Sequence, residues 1–190
     1  MINNSYLNEQ TIKKIRGLFF SDKVFPSIKL QNFFDKRLYD ETMKEILNSK
    51  YKKMIKPMQH SYSVSKTPKT LAQFINSEQF KNYISEITGK KIKNINGSMY
   101  KFGWKDYTLL HDENTQKENF DFILDFAGSW DDRAGGRLIY TDGKGNYNYI
   151  PSSDNTLTIV HRKNDFQKFV QYINHYAGNN KRYLFIGLIG

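Results

Sequence analysis

The chain has 190 residues, of which 38% are hydrophobic and 15% aromatic, and this is enough to bury the core of one domain. No apolar run approaches the roughly 20 residues that a membrane-spanning helix requires, and the polar first six residues do not resemble a signal peptide. We therefore expect an intracellular, cytoplasmic protein. Because cysteine is absent, disulfides, thiolate nucleophiles and cysteine-bound zinc are excluded, which leaves His, Asp and Glu as ligands for a metal.

The net charge of +10 is unevenly distributed along the chain. Residues 1–110 contain 20 basic and nine acidic side chains, a net charge of +11, whereas residues 111–190 contain nine basic and ten acidic ones, a net charge of −1. This asymmetry favours an N-terminal docking face for RNA, a ribosome or an acidic protein, with the lysines of 50–56 and 90–93 as candidates. The alternative is a lysine-rich solvated surface that has no specific partner.

The first ninety residues have mainly helical patterns. Apolar residues recur at helical spacing with charged residues between them, which predicts amphipathic helices that support a sheet. A stretch rich in Ser, Thr and Lys around Pro68 predicts a loop, and the last helix of this half should end at Gly89. The predicted segments are helices at 8–19 and 33–47, one or two helices at 71–87, an extended segment at 24–30 and a loop at 61–70.

After residue 90 the pattern changes to short β-rich segments separated by Gly, Asn and Asp. About eight strands after a helical half predict one α+β domain over residues 1–190. Residues 1–90 would be its helical support, and residues 91–190 would form a double-stranded β-helix, or jelly roll, with the helices packed on one sheet. The predicted strands are 92–102, 107–110, 120–126, 136–140, 147–150, 156–160, 169–173 and 183–189.

A His-Asp-Glu triplet follows the predicted strand at 107–110. Because side chains alternate along a strand, His111 and Glu113 would project to one face and Asp112 to the other. One imidazole and one carboxylate two residues apart can bind a single metal, and this is the spacing found in the 2-His-1-carboxylate site of non-haem iron enzymes. The alternative is a polar strand end that turns into the loop at 114–119.

Several segments together resemble the 2-oxoglutarate and Fe(II)-dependent dioxygenases, particularly the prolyl hydroxylase branch that includes the ribosomal-protein prolyl hydroxylases. The resemblance covers residues 25–190, and its order and spacing are more specific than any single segment. The segments are FPSIKLQNFFD at 25–35, FINSEQF at 74–80, YKFGWKDYTLLHDE at 100–113, FILDF at 122–126, WDDRAGGRL at 130–138, NTLTIV at 155–160 and KRYLFIG at 181–187.

The resemblance implies an Fe(II) site with His111 and Glu113 as ligands. It also implies that Arg182 binds the distal carboxylate of 2-oxoglutarate and that Tyr100 lines the site of this cosubstrate. A planar guanidinium suits the first role, because it can donate two parallel hydrogen bonds to a carboxylate. The reaction implied is hydroxylation of a protein side chain, such as proline in a ribosomal or other translation component.

The sequence departs from the family pattern at two ligand positions. Glu113 stands where the family usually has Asp, and a longer side chain still supplies an oxygen. Gln167 or Lys168 stands where the family has its second histidine, and a lysine ammonium has no lone pair for a metal. A tight turn at 178–179 would place His175 opposite Arg182, so His175 is the predicted third ligand, with His161 as the less favoured substitute.

Two hypotheses follow from this combination. The first is an active Fe(II)- and 2-oxoglutarate-dependent hydroxylase that uses His111, Glu113 and His175. The second is a catalytically inactive double-stranded β-helix that serves as a binding or scaffold module, with a degenerate metal site and a basic docking face. An enzyme needs a third ligand at the metal, whereas in a scaffold Lys168 or Gln167 would fill the cavity.

Overall fold

The computed structural model describes residues 1–110, 118–164 and 166–189. Side chains that cap the helix ends explain where three of the helices begin: Asn8, Asp35 and Ser77 each accept a hydrogen bond from a backbone N–H of the first turn. Within the described residues there are four α-helices, α1 (Glu9–Phe19), α2 (Lys36–Asn48), α3 (Lys69–Ile75) and α4 (Glu78–Thr88). None of these helices is long and apolar enough to cross a membrane.

Eleven strands occur in the same described residues, and most lie where the β-rich segments predict them. They are β1 (Ser27–Gln31), β2 (Lys52–Lys56), β3 (His60–Ser65), β4 (Ile95–Phe102), β5 (Tyr107–Thr108), β6 (Asn119–Phe126), β7 (Leu138–Thr141), β8 (Tyr147–Ile150), β9 (Thr156–Arg162), β10 (Gln167–Val170) and β11 (Arg182–Ile189).

The strands form two antiparallel sheets. The large sheet has the order β1-β9-β6-β11-β4-β3-β2, with β5 also paired to β3, and the small sheet has the order β10-β7-β8. Buried residues of both sheets, among them Leu138 and Val170 of the small sheet and Ile123 and Leu184 of the large one, share one apolar cluster. The sheets therefore face each other, and the predicted jelly roll of an α+β protein is confirmed.

A second apolar cluster joins the helices to the other face of the large sheet. Phe33, just before α2, packs in this cluster with Phe80 of α4, and Phe185 of β11 contributes from the sheet. Because side chains alternate along β11, Phe185 faces the helices while its neighbour Leu184 faces the small sheet. The helices thus cover one face of the large sheet, as predicted, and the small sheet covers the other.

The predicted loop at 61–70 is wrong over its first half, because residues His60–Ser65 form β3 in a hairpin with β2. Its composition is that of a loop, but Tyr62 and Val64 alternate with serines, and this period of two is typical of a strand. With β1, three strands from the first ninety residues therefore join the large sheet. The N-terminal part is more than a helical support.

Candidate functional site

A pocket of about 590 Å³ opens between the two sheets beside β5. Its wall is largely aromatic and aliphatic, with one cationic side chain from the small sheet. The centroids of the Tyr62 and Tyr100 rings are 5.5 Å apart in an edge-to-face arrangement. The residues that line the pocket are Gln59, His60, Tyr62, Tyr100, Phe102, Thr108, Leu109, Leu110, Leu138, Lys168, Val170 and Ile186.

Lys168 lies inside this pocket, on β10. Along that strand Lys168 and Val170 are buried and face the large sheet, while Gln167 and Phe169 alternate to the other side. The Lys168 side chain is only 4% exposed, and its Nζ lies 3.1 Å from Oδ2 of Asp121 on β6. Of the two residues that could replace the family's second histidine, Lys168 is therefore the one that points inward.

Asp121 is the centre of a buried polar cluster at this end of the pocket. Arg162 Nε donates a 3.1 Å hydrogen bond to Asp121 Oδ1, and the Tyr140 hydroxyl donates a 2.7 Å hydrogen bond to Oδ2. Together with Lys168, two cations and a phenol thus surround one carboxylate that has no solvent exposure. Removing a charged side chain from such a buried ion pair destabilises the protein, because the charge that remains would stay buried without its partner.

Arg182 begins β11 and is fully buried at the other end of the inner face. Its Nε and Nη2 donate hydrogen bonds of 3.1 Å and 2.5 Å to Oδ2 of Asp125, and Nη1 donates to the carbonyl of Gly136. Ser153 N donates a further 3.0 Å hydrogen bond to the same carboxylate oxygen. Burial raises the pKa of Asp125, and the Arg182 guanidinium opposes this by favouring the ionised form. The guanidinium therefore already has a carboxylate partner within the protein.

Tyr100 lines the pocket, and its role beside a cosubstrate stays a prediction. It lies on β4 opposite Leu184 of β11, so its ring faces the space between the sheets. His60 also lines the pocket, with its ring 5.1 Å from that of Tyr62. His60 is not among the predicted site residues, because it is far along the chain from the His-Asp-Glu triplet at 111–113.

His175 lies away from this pocket. The prediction that it faces Arg182 across a strand hairpin is wrong, because β10 ends at Val170 and His175 begins a 3-10 turn. The Asn174 side chain accepts a hydrogen bond from Tyr176 N and so caps this turn. The His175 ring is exposed and stacked on Tyr176, with the ring centroids 4.6 Å apart.

His161, the second substitute, is on the wrong face of the large sheet for the pocket. Its ring stacks on Phe120, with centroids 4.7 Å apart, and Phe120 belongs to the cluster beneath the helices. Its Nε2 also contacts the carboxylate of Glu118. His161 therefore has a structural environment on the helix side.

His111 and Glu113 lie outside the described residues. Among residues 1–110, 118–164 and 166–189, no cluster of three or more His, Asp or Glu side chains could hold a metal ion. On the described part of the inner face, two side chains do not suit a site for iron and 2-oxoglutarate. The inward position on β10 carries an ammonium without a lone pair, and the guanidinium that would bind the cosubstrate is bound to Asp125.

Comparisons with solved structures identify the fold. A prolyl-4-hydroxylase from Pseudomonas putida is 9% identical, with a TM-score of 0.68 over 92% of this chain and 97% of that one. A 2OG-Fe(II) oxygenase family oxidoreductase from Burkholderia pseudomallei is 9% identical, with a TM-score of 0.73 over 95% and 91%. A Trichoplax adhaerens prolyl hydroxylase, solved with a peptide fragment of the hypoxia inducible factor oxygen degradation domain, is 12% identical, with a TM-score of 0.72 over 95% and 90%. The fold is therefore the double-stranded β-helix of the 2-oxoglutarate oxygenases.

The sequence also matches a family model, described as oxoglutarate and iron-dependent oxygenase degradation C-term, over residues 55–189. The chain belongs to this family. No curated protein sequence matches it. The predicted resemblance to 2-oxoglutarate oxygenases of the prolyl hydroxylase type is thereby confirmed, while the ribosomal branch stays a prediction.

Proposed function

We propose that this chain is a binding domain that retains the oxygenase fold without a working iron and 2-oxoglutarate site. The observation that carries the proposal is the Lys168 ammonium, which occupies the inward position on β10 and is ion-paired with Asp121. A metal ligand at this position needs a lone pair, and a protonated lysine has none. Binding a metal cation beside the two cations Lys168 and Arg162 would also be opposed by charge repulsion.

The second ion pair supports the same proposal. For 2-oxoglutarate to bind Arg182, the guanidinium would have to leave Asp125, and this carboxylate would remain buried without its partner. Leaving a buried charge unpaired costs about 3–5 kcal/mol, which a cosubstrate would have to offset. The partner we propose is a protein segment, because the oxygenase from Trichoplax adhaerens has a peptide bound to the same fold.

Fe(II)- and 2-oxoglutarate-dependent hydroxylation of a protein side chain, such as proline, is the second candidate. It is favoured by the His111-Asp112-Glu113 triplet, which directly follows the pocket-lining residues Leu109 and Leu110. Structural similarity to prolyl hydroxylases also favours it. In this case a third ligand would have to reach the metal from outside the inner face of β10.

Calorimetric titration of the metal-free protein with Mn(II) separates the two candidates. We expect no saturable binding, and no change when 2-oxoglutarate is added, because Lys168 and Arg182 keep their internal partners. Binding of one Mn(II) per chain that becomes tighter with 2-oxoglutarate would refute the binding-domain proposal and establish an oxygenase-type site.

His175→Ala and Gln167→Ala are informative companions to this titration. Both side chains lie off the inner face, and we expect both variants to give the wild-type result. If wild type binds Mn(II) and His175→Ala does not, His175 is a ligand after all, and its exposed position must change when the metal binds.

A further inference from the structure

Strand β2 forms an open edge of the large sheet. Among the described strands it pairs only with β3, so the backbone N–H and C=O groups along its other side have no strand partner. The opposite edge of this sheet, β1, carries a single lysine, Lys29, whose side chain is partly buried. The two edges therefore differ in what they present to an incoming strand.

The open edge is strongly basic. Lys50, Lys52, Lys53 and Lys56 are all exposed within seven residues of chain. Lys53 contacts Asp106, whereas Lys50, Lys52 and Lys56 have no ion-pair partner in the part of the chain that the structure describes. Unpaired like charges on one strand repel each other, and an acidic partner would relieve this repulsion.

The same edge also exposes apolar side chains. Ile55 on β2 is 66% exposed, and Met58 in the turn that follows is 84% exposed. Isolated apolar residues on a surface are ordinary, but here Ile55 and Met58 lie among the exposed lysines of an open edge. This combination fits a partner that offers both carboxylates and aliphatic side chains.

We propose that β2 binds an extended acidic protein segment, which adds to the large sheet as a further strand. The inference rests on the proposed binding function and names the class of partner. Backbone hydrogen bonds to the open edge supply affinity in this mode of recognition, and alternate side chains supply specificity. Here the lysines select Asp or Glu, and Ile55 selects an aliphatic neighbour.

The charges also exclude a second copy of this chain as the occupant of the edge. Lysines on an edge strand prevent pairing between identical edges, because two basic strands repel each other. The same charges attract an acidic strand. Pairing with nucleic acid would satisfy the lysines but would leave the row of backbone donors and the Ile55 side chain without suitable partners.

The position of β2 connects this edge to the pocket. Met54 lies opposite Tyr62, and Lys56 lies opposite His60, in the register between β2 and β3. Tyr62 and His60 both line the pocket between the sheets. Since residues opposite each other in a sheet share a face, side chains on one face of the added strand would point to the pocket side.

Fluorescence anisotropy with a labelled, end-capped Glu-Val-Glu-Val-Glu-Val-Glu peptide tests the proposal on the full chain. We expect saturable binding that weakens by about tenfold or more when alternate residues of the peptide are N-methylated, because this removes the backbone donors of one edge while keeping the charge. Equal binding of the N-methylated peptide, or no binding of either peptide, would overturn the proposal.

The matched variants are Lys52→Glu/Lys56→Glu and Lys91→Glu/Lys93→Glu. Both change the net charge by the same amount at exposed positions, the second pair on the segment before β4. Only the first should weaken peptide binding, by about tenfold or more. Equal losses in both would show unspecific charge attraction. A labelled dT20 strand that binds in place of the peptide, with the same dependence on Lys52 and Lys56, would instead show a nucleic-acid site.

This assay is independent of the metal titration. Peptide binding is measured in EDTA and again with Mn(II) and 2-oxoglutarate, and we expect the same affinity in both. Loss of peptide binding to wild type would overturn the β2 inference and leave the titration result unchanged. Metal binding by wild type would refute the proposed function and would leave a positive N-methylation result in place.

Discussion

The two faces of the large sheet are built from the same strands and have opposite chemistry. The face beneath the helices is an apolar cluster, in which Phe33 and Phe185 have no solvent exposure. The face toward the small sheet contains apolar residues as well, but it also buries two ion-pair clusters, centred on Asp121 and Asp125. Buried ion pairs add little net stability, so we expect the uniformly apolar helix side to contribute more of the folding free energy than the inner face.

The largest expected effect lies on the apolar face. Phe33→Ala should lower the free energy of unfolding by about 3–5 kcal/mol, because it leaves a cavity among neighbouring aromatic rings. Urea unfolding measures this loss. Leu47→Ala on the exposed side of α2 is the control and should change stability by less than about 0.5 kcal/mol. Similar losses in both variants would contradict the assignment of this face as the main core.

On the inner face, Arg182→Met should cost about 3 kcal/mol, because Asp125 would remain buried without its guanidinium. The double variant Arg182→Met/Asp125→Leu removes both charges, and we expect it to unfold within about 1 kcal/mol of wild type. Such a recovery of stability would show that the loss in Arg182→Met comes from the unpaired charge of Asp125 and not from lost apolar packing. If the double variant is less stable than Arg182→Met, the pair contributes to stability in its own right and the contrast between the faces is smaller than we infer.

A smaller effect is expected at the pocket. Lys168→Met should lower the free energy of unfolding by about 1–2 kcal/mol, since Asp121 keeps hydrogen bonds from Arg162 and Tyr140. Gln167→Met, one residue away on the other side of β10, should change it by less than about 0.5 kcal/mol. Equal effects at both positions would mean that Lys168 is not the inward residue in solution.

The smallest effect depends on pH and lies on the helix side. Burial raises the pKa of Tyr83, whose hydroxyl has no hydrogen-bond partner among the described residues, and burial raises the pKa of Tyr51 to about 12. The folded state favours the neutral phenol. The contribution of these phenols to the free energy of unfolding is therefore fully present below the ordinary pKa of 10.0 and is lost as the pH rises above it. Tyr83→Phe should be stabilised by up to about 1 kcal/mol at pH 7 and lose less stability at pH 11 than wild type. Parallel pH profiles for the two proteins would contradict this assignment.

Much of the fold could be predicted from local pattern. Strand β8 lies at 147–150 as predicted, α2 lies within a few residues of its predicted helix, and α3 and α4 together span the one or two helices predicted at 71–87, because the apolar periodicity is strong. The hairpin of β2 and β3 was missed, since serines and lysines obscured the alternation of Tyr62 and Val64. The metal ligands His111 and Glu113 stay predictions, whereas the predicted strand position of His175 is wrong because Asn174 starts a turn there.

The sequence by itself determined the class of fold and the family resemblance, because periodicity and motif order are local properties of the chain. The resemblance also predicted that either Gln167 or Lys168 stands where the family has its second histidine. Only the tertiary structure decided that Lys168 faces inward and that Arg182 is already bound to Asp125, 57 residues earlier. These pairings depend on strand register, and a shift of one residue would turn each side chain to the opposite face.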